Sequence, residues 1–307
     1  MNGIMDQKMA IEFNGALKRG TRKPIGPINL QIPQGYVVAL VGPNGSGKST
    51  MLNLMLQTIH PDAGEISWFG EKAKEALPLS IRQQIGYVPE NPTREEHFMT
   101  AESAAKFRAH WYPTWDWERF EALMTRFEVP RGERLNRMSK GERRKFEIAA
   151  VLAAKPKLLL LDEPSSGLDP FAWKDMIDEL RACLDGEDVT IVLSTHIVEE
   201  VKRLADYIVL VHHGQIVGMA EKDALFGSWK EVWIRGAQSD ELKSIPGVLT
   251  CREDGPSITK LVVSDSLEFE EWCERERANV HIIKSRSLEL EEILQLWIQG
   301  HQPGQSN

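Results

Sequence analysis

Residues 42–50, which read GPNGSGKST, have the residue types and the spacing needed to hold a phosphate group. Glycines let backbone N–H groups turn inward around an anion, and the lysine brings a positive charge to the β- and γ-phosphates of a nucleotide. The serine after the lysine offers a hydroxyl to Mg²⁺. The pattern therefore predicts that the chain binds a nucleoside triphosphate, with Lys48 also assisting catalysis. The predicted binding residues are Gly42, Pro43, Asn44, Gly45, Ser46, Gly47, Lys48, Ser49 and Thr50.

The residues on either side of this loop predict a strand and a helix. Residues 36–40 read YVVAL, an apolar and β-branched run typical of a buried parallel strand, and residues 49–59 repeat apolar side chains at helical spacing. We expect the loop to join the two, so that the positive end of the helix also faces the phosphate. The alternative, a glycine-rich turn without a ligand, does not account for the adjacent lysine and serine.

Two neighbouring carboxylates, Asp162 and Glu163, follow four leucines in the segment KLLLLDE. The leucines predict a buried strand, and open α/β sheets bind their ligands at the carboxyl ends of strands. We expect Asp162 to hold Mg²⁺ through a water molecule. We expect Glu163 to polarise the water that attacks the γ-phosphate.

With this acidic pair the chain resembles the ATP-binding cassette (ABC) ATPases over roughly residues 10–225. MSKGE at 138–142 matches the family's signature position, SSGLDP at 165–170 matches its D-loop, and STH follows a strand. The resemblance implies that Ser139 and Gly141 meet the γ-phosphate bound by a second chain. It also implies that Asp169 lies at the contact between the two chains, and that His196 contacts the γ-phosphate and the attacking water.

Three places depart from the usual pattern of that family. Glu90, in GYVPE, replaces a glutamine that reaches Mg²⁺, and a carboxylate can still bind the ion. Arg19, in ALKRG, stands where an aromatic ring commonly stacks on adenine, and a guanidinium plane can also stack. The signature carries Met138, Lys140 and Glu142 in place of the commoner Leu, Gly and Gln.

The lysine of MSKGE, the glutamate of GYVPE and the segment WYPTWD together resemble one bacterial branch of the family. Its ATPases pair with multi-span permeases of the ABC-2 exporter type. The resemblance implies a homodimer, or a heterodimer with another ABC ATPase, that closes around two Mg-ATP and drives a separate membrane permease. The permease would dock on residues 90–117, which places the ATPase in the cytoplasm at the inner face of the membrane.

Three other functions stay open at this stage. A soluble ABC protein acting on ribosomes or DNA generally has two cassettes or a coiled-coil insertion, and the sequence shows neither. A regulatory module without turnover is disfavoured by the intact Glu163 and His196. A GTPase is compatible with the phosphate loop alone, but no NKxD motif is present, so ATP is the expected nucleotide.

Composition and charge narrow the range of partners. The 307 residues carry a net charge of −8, which disfavours a protein that wraps nucleic acid, so no direct nucleic-acid partner is expected. The three cysteines form no metal-binding or disulfide spacing. The first ten residues lack the pattern of a secretion signal, and no stretch reaches the roughly 18 apolar residues of a membrane span. The chain is therefore expected to be soluble.

The order of predicted elements indicates an α/β fold of the P-loop NTPase type. We expect an ATPase domain at 1–227, with an antiparallel β flap before the phosphate loop and a helical subdomain at about 92–156. A linker near Gly227 leads to a small α+β accessory domain at 228–299 and to a disordered tail at 300–307. The accessory domain is expected to serve dimerisation, with ligand binding or restraint of hydrolysis as the alternatives. The helical subdomain holds an aromatic cluster that predicts a local core, with docking of a partner helix as the alternative: Trp111, Tyr112, Trp115 and Trp117.

Overall fold

The computed structural model describes residues 7–20, 23–73, 76–92, 95–186, 189–236, 242, 245, 247–255, 257–264, 266–276 and 281–301. The chain divides into two compact units, Met1–Gly218 and Met219–Asn307.

The first unit alternates strands and helices. Its strands in chain order are β1 (Met9–Lys18), β2 (Ile25–Pro33), β3 (Val37–Val41), β4 (Ala63–Trp68), β5 (Glu71–Lys72), β6 (Ile85–Val88), β7 (Leu158–Asp162), β8 (Thr190–Ser194) and β9 (Tyr207–His212). The next strand, β10 (Gln215–Glu221), begins in this unit and ends beyond its last residue, Gly218. The helices of this unit are α1 (Lys48–Met55), α2 (Leu79–Arg82), α3 (Ala101–Ala109), α4 (Trp117–Arg126), α5 (Lys140–Ala153), α6 (Pro170–Gly186) and α7 (Val198–Leu204).

The central sheet has six strands in the order β10-β9-β3-β8-β7-β6. The neighbours from β9 through β6 pair in parallel, and every residue of β3, β7 and β8 is buried. Such apolar runs form the interior of a parallel sheet that is covered on both faces. Because β3, β8 and β7 are adjacent and parallel, the phosphate loop, His196 and the acidic pair all follow strand ends at one edge of the sheet. The predicted P-loop fold is confirmed.

A second, antiparallel sheet in the order β2-β1-β4-β5 forms the predicted flap. Its buried residues alternate with exposed ones along β2, as expected for a sheet with one face on the core. The helix after the phosphate loop is shorter than the sequence suggested, because α1 ends at Met55 and Gln57 has a left-handed φ of 53°. A residue in that conformation cannot continue a right-handed helix.

Three helices, α3, α4 and α5, lie within the region predicted to be a helical subdomain. Each starts at a polar residue whose side-chain oxygen accepts a hydrogen bond from the first turn, namely Thr100, Asp116 and Ser139. The rings of Trp115, Trp117 and Phe120 contact one another at centroid distances of 5.5 to 5.9 Å, but Trp111 and Trp117 are 50% and 43% exposed, so only part of the predicted cluster packs as a local core.

Buried charges also join the helices of this region. Arg108 on α3 contacts carboxylate oxygens of Glu96 and of Glu147 on α5, each at 2.6 Å, and Arg143 contacts Glu147 at 2.7 Å. Breaking an ion pair in such a buried position strongly destabilises the fold, because the remaining partner is left as an unpaired charge.

The second unit is an α+β fold, as predicted. Its elements are α8 (Lys222–Ser228), β11 (Lys230–Arg235), β12 (Val248–Glu253), β13 (Ile258–Val263), α9 (Ser266–Glu276), β14 (His281–Ser287) and α10 (Leu290–Ile298). Its antiparallel sheet has the order β12-β13-β11-β14, and its core includes Val232, Ile234, Leu261, Val263 and Phe269.

The linker and the C-terminal tail predicted for this region have different outcomes. The residues around Gly227 that suggested a linker belong to α8, because the apolar residues of KDALFGS, with Leu225 fully buried, support a helix there. The division between the units falls earlier, after Gly218. Most of the tail expected at 300–307 lies outside the described residues.

Candidate nucleotide-binding and hydrolysis site

The phosphate loop lies between β3 and α1 in a conformation that requires glycine. Gly42, Gly45 and Gly47 have φ angles of 151°, 75° and 115°, which L side chains rarely adopt. A Cβ atom on Gly42 would lie 2.1 Å from the carbonyl oxygen of Val211, and one on Gly47 would lie 2.7 Å from Ile25 Cδ1. The backbone is therefore closely packed from two sides while Asn44 and Gly45 at its tip stay exposed.

The turn between β9 and β10 closes one side of this loop. Gly214 N donates to the carbonyl oxygen of Ser46 at 2.8 Å, and Gly26 N donates to the carbonyl oxygen of Gly214 at 2.7 Å. The Ser46 hydroxyl is buried and has no hydrogen-bond partner within the described part of the chain. A buried hydroxyl of this kind needs a partner, and a phosphate oxygen fits the requirement.

Lys48 points back into the loop. Its ammonium donates to the carbonyl oxygens of Gly42 at 2.8 Å and Pro43 at 3.4 Å. Burial lowers the pKa of Lys48, and the nearby carboxylates of Glu163 and Asp162 oppose that shift. The loop thus holds a partly desolvated positive charge, as phosphate binding requires.

Ser49 and Asp162 place two side-chain oxygen atoms close together at the edge of the sheet. The Ser49 hydroxyl donates to Asp162 Oδ1 at 3.2 Å, and Asp162 is only 3% exposed. Burial raises the pKa of Asp162, and the hydrogen bond from Ser49 opposes the shift. A buried carboxylate beside a hydroxyl suits a hard divalent cation such as Mg²⁺.

Other possible metal ligands are few. Within the described residues no group of three or more His, Cys, Asp or Glu side chains could hold a metal by itself. The Mg²⁺ predicted for this site would therefore also need oxygens of the nucleotide. Glu90, the third predicted ligand, is exposed just beyond β6, and its charge contributes to the raised pKa of Asp162.

Glu163 and His196 form a close pair beside these groups. Glu163 Oε2 lies 2.7 Å from His196 Nδ1, and Glu163 N donates to the carbonyl oxygen of Ser194 at 2.9 Å. Glu163 adopts a left-handed φ of 47°, a conformation that non-glycine residues adopt at functional sites more often than elsewhere. Burial raises the pKa of Glu163, and His196 opposes the shift. The His196 side chain is 65% exposed, so the pair faces solvent where a water molecule can approach.

The signature residues lie at the start of α5. Ser139 caps this helix by accepting from Glu142 N at 3.2 Å, while the Glu142 carboxylate accepts from Ser139 N at 2.8 Å. This capping box satisfies two N–H groups of the helix start and leaves Ser139 exposed. A Cβ atom on Gly141 would lie 2.7 Å from the carbonyl oxygen of Gly167, so glycine is required here by a contact within the chain.

Asp169 caps the next helix, α6. Its Oδ1 accepts from Phe171 N at 2.9 Å and Ala172 N at 3.0 Å, and the bond from Ala172 is the main cause that lowers the pKa of Asp169. Phe171 itself is 83% exposed. The residues predicted to act across a dimer therefore form a second cluster, which joins the first through a bond of 3.1 Å from Ser166 N to the carbonyl oxygen of Glu163.

Arg19 lies at the exposed end of the flap, one residue beyond β1. Its backbone N–H donates to the Asp62 carboxylate, which also pairs with Lys18 at 3.0 Å. Lys18 is the register partner of Ile25, whose side chain packs at Gly47. Arg19 therefore follows a strand residue whose partner packs at the phosphate loop, and the Arg19 side chain is exposed.

One buried residue of the site has no signal in the sequence. Arg144 donates to the carbonyl oxygens of Pro89 and Glu90, both at 2.6 Å, and so ties the segment containing Glu90 to α5. Arg144 is one of two adjacent arginines on an amphipathic helix. No sequence pattern distinguishes a buried arginine at this position from a solvent-exposed one.

Comparison with known proteins identifies the family of this chain. The sequence profile described as ABC transporter matches residues 25–166. The Nod factor export ATP-binding protein I of Rhizobium etli is 30% identical over 302 residues, covering 94% of each chain. The chain belongs to the ABC transporter family.

Solved structures agree with this assignment. An ATP-binding subunit of an ABC transporter is 27% identical with a TM-score of 0.64, covering 70% of this chain and 91% of that one. A bacterial ABC transporter cassette described as dimeric shares the fold, with a TM-score of 0.60 at 24% identity, covering 69% of this chain and 98% of that one. As a member of this ABC family, the chain is an ATP-binding and ATP-hydrolysing transporter subunit, as predicted. No helix in the described residues is long and apolar enough to span a membrane.

Proposed function

We propose that two ABC chains close around two Mg-ATP and drive a separate membrane permease of the export type. The observation that carries this proposal is the pair Glu163–His196, at 2.7 Å, set at the sheet edge that also holds Lys48 and Asp162. The name of the Rhizobium relative supports the direction of transport, and the dimeric cassette supports the assembly.

The side chains around the phosphate loop divide the work of hydrolysis. Lys48 and the loop amides bind the β- and γ-phosphates and take up charge that grows in the transition state. Ser49, Asp162 and Glu90 would hold Mg²⁺, which neutralises phosphate charge when bound. Glu163 accepts a hydrogen bond from the attacking water and orients it in line with the leaving oxygen.

His196 assists at the same position. Its Nδ1 contacts Glu163, which leaves Nε2 available for the γ-phosphate or the water. Because the two side chains share one hydrogen bond, each restrains the rotamer of the other. The product is inorganic phosphate, released together with ADP.

Ser139, Gly141 and Asp169 are proposed to complete the site of the other chain. The first turn of α5 presents N–H groups that favour an anion, and Ser139 lies exposed at its start. Arg19, exposed at the end of the flap, is proposed to stack on the adenine. The dimer consists of two copies of this chain or of this chain and a second ABC ATPase.

If each site needs two chains, hydrolysis should depend on the concentration of the chain. The rate of phosphate release per chain should rise with chain concentration at saturating Mg-ATP, and level off when sedimentation shows that the dimer is complete. A constant rate per chain across a range in which sedimentation detects monomers would contradict the proposal. If the rate rises only when a second ABC ATPase is added, the dimer is a heterodimer.

The docking surface for the permease is proposed at residues 90–117. A cavity of about 190 Å³ opens here, lined by Tyr87, Pro89, Arg108, Tyr112, Trp115, Glu147, Ala150, Val151 and Ala154. The Trp115 indole N–H is buried and has no hydrogen-bond acceptor among the described residues. An acceptor from a docked permease segment would satisfy it, since a buried donor without a partner is unfavourable. Such a subunit would lie in the cytoplasm at the inner face of the membrane.

Exposed aromatic side chains also lie within residues 90–117. Phe98 is 77% exposed, and Phe107, Trp111 and Trp117 are each about half exposed. Exposed apolar side chains at this density are typical of an interaction surface.

Removing these side chains should weaken the complex with the permease. We expect Phe98→Ser combined with Trp111→Ser to lower the amount of permease that co-purifies with the chain. Hot-spot aromatic residues contribute about 2 kcal/mol or more to an interface, which is a roughly 30-fold loss of affinity. Trp115→Phe keeps the ring, removes the N–H donor and should have a smaller effect in the same direction.

Leu79→Ser is the matched control, because Leu79 is also an exposed apolar residue, at 57%, and lies outside residues 90–117. Unchanged co-purification of the double variant and of Trp115→Phe would rule out this docking surface. The circular dichroism of each variant shows whether it is folded.

A further inference from the structure

Lys140, in the signature segment MSKGE, makes a side-chain contact that the sequence did not predict. Its ammonium donates to the Ser166 hydroxyl at 2.7 Å. Its stem lies across Gly167, where a Cβ atom would meet Lys140 Cγ at 2.8 Å and Cδ at 3.0 Å. The side chain therefore bridges the start of α5 and the loop that contains Ser166 within one chain.

The two backbones meet at the same point. Gly141 approaches the carbonyl oxygen of Gly167 so closely that a Cβ on Gly141 would be 2.7 Å from it. Gly167 has a φ of 90°, so a side chain there would be strained as well as crowded. Two glycines and one lysine thus form a compact junction between the signature helix and the loop after β7.

The junction continues to the catalytic pair through hydrogen bonds. Ser166 N donates to the carbonyl oxygen of Glu163 at 3.1 Å, and Glu163 Oε2 lies 2.7 Å from His196 Nδ1. A continuous series of contacts runs from Lys140 to Ser166, Glu163 and His196.

We infer that Lys140 is a positioning residue that fixes Glu163 relative to the signature helix. This inference rests on the proposed function, in which the start of α5 faces the nucleotide of the other chain. In that dimer, the signature helix covers the nucleotide bound by the other chain, while Glu163 activates water at the nucleotide bound by its own chain. Lys140 therefore links the two nucleotide sites. Glycine at position 140, the commoner residue of the family, lacks the side chain for this link.

A double-mutant cycle tests the link. Lys140→Met keeps an unbranched stem over Gly167 and removes the ammonium, while Ser166→Ala removes the acceptor. We expect each to lower kcat by about 2- to 12-fold, the loss of one hydrogen bond in the transition state, with little change in the KM for ATP. The double variant should be no slower than the slower single variant, because both remove the same contact.

Further variants separate positioning from simple structural loss. Lys140→Arg retains a donor and should recover most of the lost kcat. Lys174→Met replaces an exposed lysine on α6 and should leave kcat unchanged.

The outcomes separate failure of this inference from failure of the proposed function. Losses in kcat that multiply in the double variant, or single variants with unchanged kcat, overturn the role of Lys140 while hydrolysis by the wild-type chain stands. A large rise in KM for Lys140→Met with none for Ser166→Ala also overturns it, since Lys140 then binds nucleotide. A wild-type chain that releases no phosphate overturns both.

Discussion

Replacing Glu163 by glutamine should lower the rate of ATP hydrolysis by about 10²- to 10⁴-fold, the usual contribution of a general base. The amide cannot accept a proton from the attacking water. It also weakens the contact with His196, at present 2.7 Å from the carboxylate. ATP binding should persist or tighten, since the substitution removes a negative charge close to the phosphates. Phosphate release in a single turnover measures the first effect, and equilibrium binding of Mg-ATP measures the second.

Glu199→Gln serves as the matched control for this variant. Glu199 is an exposed glutamate on α7 that pairs with Arg203, so its replacement should leave hydrolysis within about two-fold, as for other surface ion pairs. A Glu163→Gln chain that hydrolyses ATP at the wild-type rate would refute the assignment of Glu163 as the group that activates water.

Replacing Lys48 by methionine should weaken Mg-ATP binding by about 10²-fold or more, because a charge-assisted hydrogen bond contributes roughly 1.5–3 kcal/mol and Lys48 would make several to phosphate. The folded chain without nucleotide should be no less stable. Burial lowers the pKa of Lys48, so the charged ammonium disfavours the folded state. Methionine removes that penalty, which offsets the loss of the hydrogen bonds to the carbonyl oxygens of Gly42 and Pro43. We expect an unchanged or higher melting temperature without ATP, and no increase when Mg-ATP is added.

The control for this second variant is Lys72→Met. Lys72 is an exposed lysine on β5 that pairs with Glu65, and its loss should preserve the thermal shift caused by Mg-ATP. A Lys48→Met chain that is strongly destabilised without nucleotide would show that the lysine serves the fold of the loop. A normal thermal shift with Mg-ATP would show that it does not bind phosphate.

The sequence predicted those parts of the site that depend on neighbouring residues in the chain. The phosphate loop and the acidic pair are recognisable because each follows a short apolar run, and adjacent parallel strands bring their ends together. His196 could be placed for the same reason, since it follows β8.

The contacts that the sequence did not predict join residues far apart in the chain. Lys140 meets Ser166, and Arg144 reaches the carbonyl oxygens of Pro89 and Glu90. The periodicity of apolar residues in the sequence does not predict such pairs, because they depend on how loops pack after the sheet has formed. The residues around Gly227 differ from the expected linker for a related reason. A glycine by itself favours a break in a helix, but buried neighbours such as Leu225 stabilise the helix at these residues.

The turn that closes the phosphate loop has a consequence for the order in which the chain becomes competent. Gly214 donates to Ser46, and the carbonyl of Val211 packs where a side chain on Gly42 would be. These partners are synthesised long after the loop, and at roughly 5–20 residues per second a ribosome needs on the order of ten seconds or more to reach them. A nascent chain carries the nucleotide-binding motif throughout that interval without the wall that supports it. ATP can therefore stabilise the domain only once translation has passed the β9–β10 turn.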